Sequence, residues 1–257
     1  MTEPILSLER VTKRYGALAV VDQVSLEVVP GERRAIIGPN GAGKTTLFSM
    51  VAGHMRSSEG RIVYKGRDVT RLRDDRRSRL GIAQVFQRSS LFLGLTVSEN
   101  VVLSVQRSTG QSLNMLVPVR RKRSLLERAD ELLEIVGLHP RRDHVVSTLS
   151  HGEKRQLELA VALAGDPELI LFDEPVAGLS AAETASFVQL VQRMPDSLTL
   201  LLIEHDISVV MTLASKVTVL DAGRLLAEGS PEAISADERV REAYLGTARH
   251  DELFSEG

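Results

Sequence analysis

Nine consecutive residues carry the densest chemistry in the chain: Gly38, Pro39, Asn40, Gly41, Ala42, Gly43, Lys44, Thr45 and Thr46. Their spacing is G-x-x-x-x-G-K-T, in which glycines let backbone N–H groups close around phosphate oxygens. Lys44 adds a point charge for the terminal phosphates, and the Thr45 hydroxyl can complete the coordination of a Mg²⁺ ion. The pattern works only as a turn from a strand into a helix, whose N-terminus adds the positive end of its dipole. Both neighbours are present. Ala35-Ile36-Ile37 precede it as an apolar run, and Leu47, Phe48, Met50 and Val51 follow at helical spacing. The stretch therefore reads as a phosphate loop, with ATP and Mg²⁺ as the species it would hold.

Further strand ends carry polar residues. Leu169, Ile170, Leu171 and Phe172 form a run suited to a strand buried on both faces, and Asp173 and Glu174 follow it. Asp173 can bind Mg²⁺ directly or through water, and Glu174 can act as general base toward a water aimed at the γ-phosphate. Gln87 ends the apolar run of residues 81–86 and is long enough to reach the metal or that water. His205 ends another buried run, 198–203, and could hydrogen-bond the γ-phosphate, although a lone histidine is more often structural. Tyr15, beside Gly16 in a turn, can stack on a flat adenine ring. Ser150, His151, Gly152 and Glu153 have two readings. S-x-x-E is a helix capping box, and a helix N-terminus with Ser and Gly is also an anion site. A second phosphate cradle makes most sense if it serves the nucleotide of another copy.

These residues need elements to hold them. The chain of 257 residues has 43% hydrophobic and 26% charged residues, as an ordinary globular protein does. Its first part is rich in alternating strands, at residues 5–12, 19–29 and 33–37, with a hairpin or edge strands over 61–69. Residues 96–105 and 120–136 are helical in pattern. After them, strands and helices alternate, which implies a parallel α/β sheet with ligands at the strands' carboxyl ends. Ser180 and Glu183 open a helix with a second capping box, and Ser230-Pro231 start a last one. The expected domains are a nucleotide-binding core from residues 1–87 and 159–257, and an inserted helical subdomain from 88–158. The tail after Gly246 is polar and expected to be loose.

The bulk numbers exclude several classes. There is no cysteine, so disulfides, zinc–thiolate sites and a thiol nucleophile are ruled out. A net charge of −2 gives no global drive toward nucleic acid. Arginines nevertheless crowd residues 71–79, 120–123 and 141–142. They read either as solvated helix faces and loops or as contact with a polar or anionic partner surface. No secretory signal pattern opens the chain, and no apolar run approaches the ~20 residues of a membrane span. A cytoplasmic protein is expected, reaching a membrane only through a partner.

Taken together, these motifs closely resemble the ATP-binding subunits of ABC transporters over essentially the full length. Residues 38–46 match Walker A, Gln87 the Q-loop, 149–153 the signature, 169–173 Walker B, Glu174 the catalytic glutamate and His205 the switch histidine. The resemblance implies a RecA-like P-loop NTPase core of α/β class, an antiparallel β subdomain and an inserted helical subdomain. It also implies two copies, identical or paralogous, that sandwich two ATP molecules, each signature facing the partner's Walker A. Such a dimer sits on the cytoplasmic face of transmembrane permease subunits, which a solute-binding protein feeds. Glu204-His205-Asp206, Val209-Val210-Met211, Ala227-Glu228-Gly229 and Glu242-Ala243-Tyr244-Leu245-Gly246 resemble the ATPases of branched-chain amino acid and urea importers. Import of such solutes is therefore expected. The alternatives are a lipid or lipopolysaccharide exporter's ATPase, or a soluble ABC ATPase acting on nucleic acid or ribosomes. Two departures stand out: His151 and Glu153 replace the signature's usual Gly and Gln, and Ser180 replaces the aspartate usual after Gly-Leu.

Overall fold

The computed structural model describes residues 3–85, 91–108 and 123–245. Gln87, residues 109–122 with Arg120 and Arg121 of the second arginine cluster, and the residues from 246 onward lie outside the described residues. The described residues divide between two compact units, one within Met1–Arg77, Leu171–Glu174 and Pro195–Gly257, the other within Ser78–Ile170 and Pro175–Met194.

In the first unit, strands β1 (Leu6–Tyr15) and β2 (Leu18–Val28) pair antiparallel, with Leu6 opposite Val28 and Leu8 opposite Leu26, all four buried. Alternation places these side chains on one face, so a one-residue slip would expose the whole set. Tyr15 pairs with Leu18 as the last residue of β1, rather than sitting in the turn, because Gly16 and Ala17 alone close the hairpin. Strand β3 (Arg33–Ile37) leads through the phosphate loop into helix α1 (Lys44–Ala52). Strands β4 (Glu59–Tyr64) and β5 (Arg67–Asp68) complete an antiparallel sheet of order β2-β1-β4-β5.

Helix α2 (Asp74–Ser78) follows; Arg71, Arg73, Arg76 and Arg79 of the first arginine cluster are exposed, as a solvated face requires, but Arg77 is not. Arg77 is 1% exposed. Its guanidinium donates to the carbonyls of Met50 at 2.8 Å, Val69 at 2.8 Å and Leu72 at 3.0 Å, and also to those of Val51 and Thr70. Met50 and Val51 lie in the last turn of α1, so the buried cation caps the negative end of that helix. Burial pushes Arg77 down to about 10, so it stays charged.

The second unit begins with β6 (Ile82–Val85), whose neighbouring Gly81 carbonyl accepts the Leu169 N–H at 3.2 Å, at the start of β7 (Leu169–Asp173). Helices α3 (Val97–Ser108), α4 (Arg123–Ile135) and α5 (His151–Leu163) pack together there. Leu125, Ala129, Leu132 and Leu133 of α4 are buried, the stripe that helical periodicity predicts. Helix α6 (Ala181–Gln192) starts at Ser180.

Strand β8 (Thr199–Ile203), helix α7 (Ile207–Leu213), the hairpin β9 (Lys216–Asp221) and β10 (Arg224–Gly229), and helices α8 (Pro231–Ala236) and α9 (Glu238–Leu245) return to the first unit. Its second sheet runs β10-β9-β3-β8-β7, with β3 parallel to both β8 and β9. Leu200, Leu201, Leu202 and Ile203 are at most 1% exposed, each contributing about 1.5–3 kcal/mol. The expected last helix is in fact two, α8 and α9: Asp237 leaves the helical conformation, and its carboxylate accepts the Arg239 N–H at 2.9 Å.

Replacing Arg77 by Met removes a donor from five carbonyls, of which those of Met50 and Val69 keep the backbone N–H of Gly53 and Leu72. We expect a loss of about 3–5 kcal/mol, since each orphaned acceptor costs roughly 1–3 kcal/mol before water or relaxation compensates. A thermal melt lowered by roughly 10 °C would register it.

Candidate functional site

The phosphate loop is built where β3 meets α1. Gly43 has φ 94° and Gly38 φ 150°. A Cβ on Gly38 would lie 2.1 Å from the Leu220 carbonyl oxygen, and one on Gly43 2.5 Å from that of Val20. Both glycines are thus required by close backbone neighbours. Gly41 differs: at φ 83° its Cβ would meet nothing within 4 Å. It faces open space, as a glycine that admits a ligand must. Gly223 clamps the loop from β9–β10, its N–H donating to the Ala42 carbonyl at 3.1 Å.

Lys44 folds back over this loop. Its ammonium donates to the carbonyls of Gly38 at 2.6 Å and Pro39 at 3.0 Å. Burial lowers its pKa, while the Glu174 carboxylate opposes that shift. Thr45 is exposed and Thr46 half-buried, as are Pro39 and Lys44; Asn40 is exposed and Ala42 buried. The backbone N–H groups at the start of α1 have no side-chain cap, so Gly43 leaves them for an anion.

Two further strand ends belong to the same unit. Asp173 closes β7, and burial, reinforced by Glu174, raises its pKa. Glu174 stands at φ 48°, a left-handed conformation rare for a non-glycine residue, and its N–H donates to the Ile203 carbonyl at 3.0 Å. The strand thereby ends in a bend that aims Glu174 beside β8. His205 follows β8, with its Nδ1 3.7 Å from Glu174 Oε1 and 3.9 Å from the buried Glu204 carboxylate. Glu204, 0% exposed, also accepts the His205 N–H at 3.1 Å and so orients that turn. Lys44, Asp173, Glu174 and His205 thus form one electrostatically linked group. The sequence reading names Glu204 only within a family resemblance and gives it no role at the site, since it has no signal there beyond its place between a buried strand and a histidine.

Tyr15 is 51% exposed, with its hydroxyl donating to Met55 Sδ at 3.2 Å and the Lys13 ammonium 5.3 Å from its ring centroid. It offers an aromatic platform already held at its edge. At the other end of the chain, Tyr244 on α9 is buried against the loop: burial pushes its phenol up to about 12, and the Gly38 amide is its backbone partner. The sequence marks Tyr244 only as part of a family resemblance and gives it no place at the loop, because a tyrosine near a polar tail carries no periodic signal.

The second unit holds residues 150–153. Ser150 caps α5, accepting the Glu153 N–H at 3.2 Å, while Glu153 accepts the Ser150 N–H at 2.9 Å and an Arg141 N–H at 3.1 Å. The capping box is therefore real, and Glu153 serves it. Gly152 is buried and Ser150 exposed.

The cassette these elements form is matched by the family model for the ABC transporter over residues 21–177. The chain belongs to the ABC transporter family, as a nucleotide-binding ATPase subunit. A second model, for the branched-chain amino acid ATP-binding cassette transporter, matches residues 224–250. The chain is 36% identical to LivG of Escherichia coli (strain K12), a high-affinity branched-chain amino acid transport ATP-binding protein, over 96% of this chain and 100% of that one. It is 34% identical to BraF of Pseudomonas aeruginosa over 96% and 100%. The lipopolysaccharide export ATP-binding protein LptB of Haemophilus influenzae is 36% identical over 94% and 97%. Among solved structures, the ADP conformation of MJ1267, an ATP-binding cassette of an ABC transporter, superposes with a TM-score of 0.83 at 28% identity, covering 95% of this chain and 100% of that one.

The two kinds of glycine can be told apart by experiment. Gly43→Ala is expected to cost roughly 2–3 kcal/mol, from the left-handed backbone and the Val20 contact, and to abolish nucleotide binding. Gly41→Ala should cost only about 1–2 kcal/mol, yet lower nucleotide affinity at least tenfold. Thermal melts and a fluorescent-nucleotide titration on both variants check this.

Proposed function

We propose that this chain powers the import of branched-chain amino acids or a related small polar solute, by binding and hydrolysing Mg²⁺–ATP in a dimer with a second ATPase subunit. The observation carrying the solute assignment is the match of residues 224–250 to the branched-chain model, supported by the likeness to LivG and BraF. The likeness to LptB keeps lipopolysaccharide export as the second reading. Permease subunits in the membrane, fed by a solute-binding protein, are the partners this role requires. Among the described residues no helix is long and apolar enough to cross a membrane, so those subunits would supply the path.

The residues divide the chemistry among themselves. Tyr15 stacks on the adenine, backbone N–H groups of residues 38–46 cradle the phosphates, and Lys44 exchanges the carbonyls of Gly38 and Pro39 for the terminal phosphates. Mg²⁺ fits the residues present. No group of three or more His, Cys, Asp or Glu side chains among the described residues forms a cage, whereas Mg²⁺ commonly takes one or two protein oxygens and shares the substrate's phosphates. Thr45 and Asp173, with Gln87, would hold it, and the ion would neutralise charge on the β- and γ-oxygens. Glu174 takes a proton from the attacking water as its oxygen bonds to the γ-phosphorus and the bond to the β-phosphate oxygen breaks. His205 donates to the γ-phosphate, and Glu204 fixes its turn. Ser150 and Gly152 complete the site of the partner copy from the N-terminus of α5.

Glu174→Gln should keep ATP binding, accumulate a closed dimer and lower turnover by roughly 10²–10⁴-fold. Near-normal hydrolysis in a phosphate-release assay would refute the general-base role. For the transport reading, the native complex is purified from membranes and its subunits identified. A permease pair whose vesicles take up leucine with ATP supports import, whereas an outer-membrane lipid export partner overturns it.

A further inference from the structure

Two helix N-termini in the second unit meet on one carboxylate. Ser150 caps α5 and Ser180 caps α6, each in a box with a glutamate three residues on. Glu153 stays within its own box and on Arg141. Glu183 reaches beyond its own. Its Oε2 accepts from the Ser180 N–H at 3.0 Å and the Ser180 hydroxyl at 2.9 Å. Its Oε1 accepts from the Gly152 N–H at 2.9 Å and the Ser150 hydroxyl at 3.1 Å. The approach is possible because residue 152 has no side chain: a Cβ there would lie 2.8 Å from Glu183 Cγ and 2.9 Å from Oε1.

The donors on Oε1 are the two that the proposed function directs at the ATP of the partner copy. A hydroxyl carries one proton and an amide N–H one, so each can serve the carboxylate or a phosphate oxygen, and not both at once. Two anions also repel when forced onto the same donors. We propose that Glu183 is an internal anion latch: it holds Ser150 and Gly152 against the ATP bound by a second copy of this chain, and must release them for the closed dimer to form. This rests on the reading of residues 150–153 as a site acting across the dimer.

The backbone donors of Ser180 and Gly152, then the two hydroxyls, hold the Glu183 carboxyl far below the ordinary range, at about 2, so the latch stays charged at any cellular pH. The bonds from Ser180 to Oε2 are separate from those on Oε1. Glu183 can thus give up α5 while still capping α6. Residue 180 matters for the same reason. An aspartate there, the residue the resemblance leads one to expect, would remove the hydroxyl donor and set a second anion beside Glu183.

The test uses the full chain in the Glu174→Gln background, with dimer formation followed by light scattering as ATP is titrated. Adding Glu183→Gln keeps the shape but removes the charge, and is expected to lower the ATP concentration for half-maximal dimer at least fivefold. Glu183→Ala should act in the same direction while also lowering the melting temperature through the lost cap. A purely structural glutamate would lower only the melting temperature, so an unchanged or higher ATP requirement in both variants overturns the latch. Ser150→Arg in the same background separates the two ideas. If it abolishes the dimer while the Glu183 variants need as much ATP as before, the latch alone fails. If it dimerises normally, or if no background gives an ATP-dependent dimer, the reading across the dimer fails and the latch with it.

Discussion

Helix α1 presents its positive end to the phosphate loop and sets its negative end on the buried guanidinium of Arg77. A helix of nine residues has little stability of its own, and nearly half its backbone groups lie at one terminus or the other. Fixing the far end by Arg77, and the near end by the contacts of Gly38 and Gly43 with Leu220 and Val20, leaves the loop's N–H groups aimed before any phosphate arrives. Such preorganisation is what lets backbone donors bind an anion without first paying for their own alignment.

Around that loop, charge is balanced rather than neutralised. Lys44 is drawn toward its neutral form by burial and held back from it by Glu174, while Asp173 is pushed toward its protonated form by burial and by Glu174. A triphosphate would favour the charged lysine and a divalent cation would favour the ionised aspartate, so each component prepares the site for the other. Glu174 holds a left-handed backbone between them, and the conformation is kept by its N–H bond to β8.

The capping boxes at Ser150 and Ser180 show how one four-residue pattern can carry two consequences. Read along the chain, both are ordinary helix starts, and both boxes form as read. Read in three dimensions, the glutamate of the second box also satisfies donors of the first. Local pattern predicts each cap, but no spacing rule links residues 150 and 183, which only the packing of α5 and α6 brings together.

The sequence by itself determined the phosphate loop, the strand-end carboxylates, the helical stripe of α4 and the class of the fold, because each of these is written in residues adjacent or one turn apart. Strand β3 lies more than 160 residues from both of its parallel neighbours, β8 and β9, and their register was decided by the packing of buried faces. Only the tertiary structure could decide that Arg77, in a run of arginines indistinguishable from a solvated face, is a core residue. Helix α2 turns that one side chain inward onto the carbonyls of five residues that stand together only in the folded chain. The same holds for Tyr244, whose backbone partner Gly38 lies in the phosphate loop near the other end of the chain. Backbone propensity and periodicity act within a few residues of chain, whereas the satisfaction of buried polar groups depends on which distant segments the core brings within 3 Å.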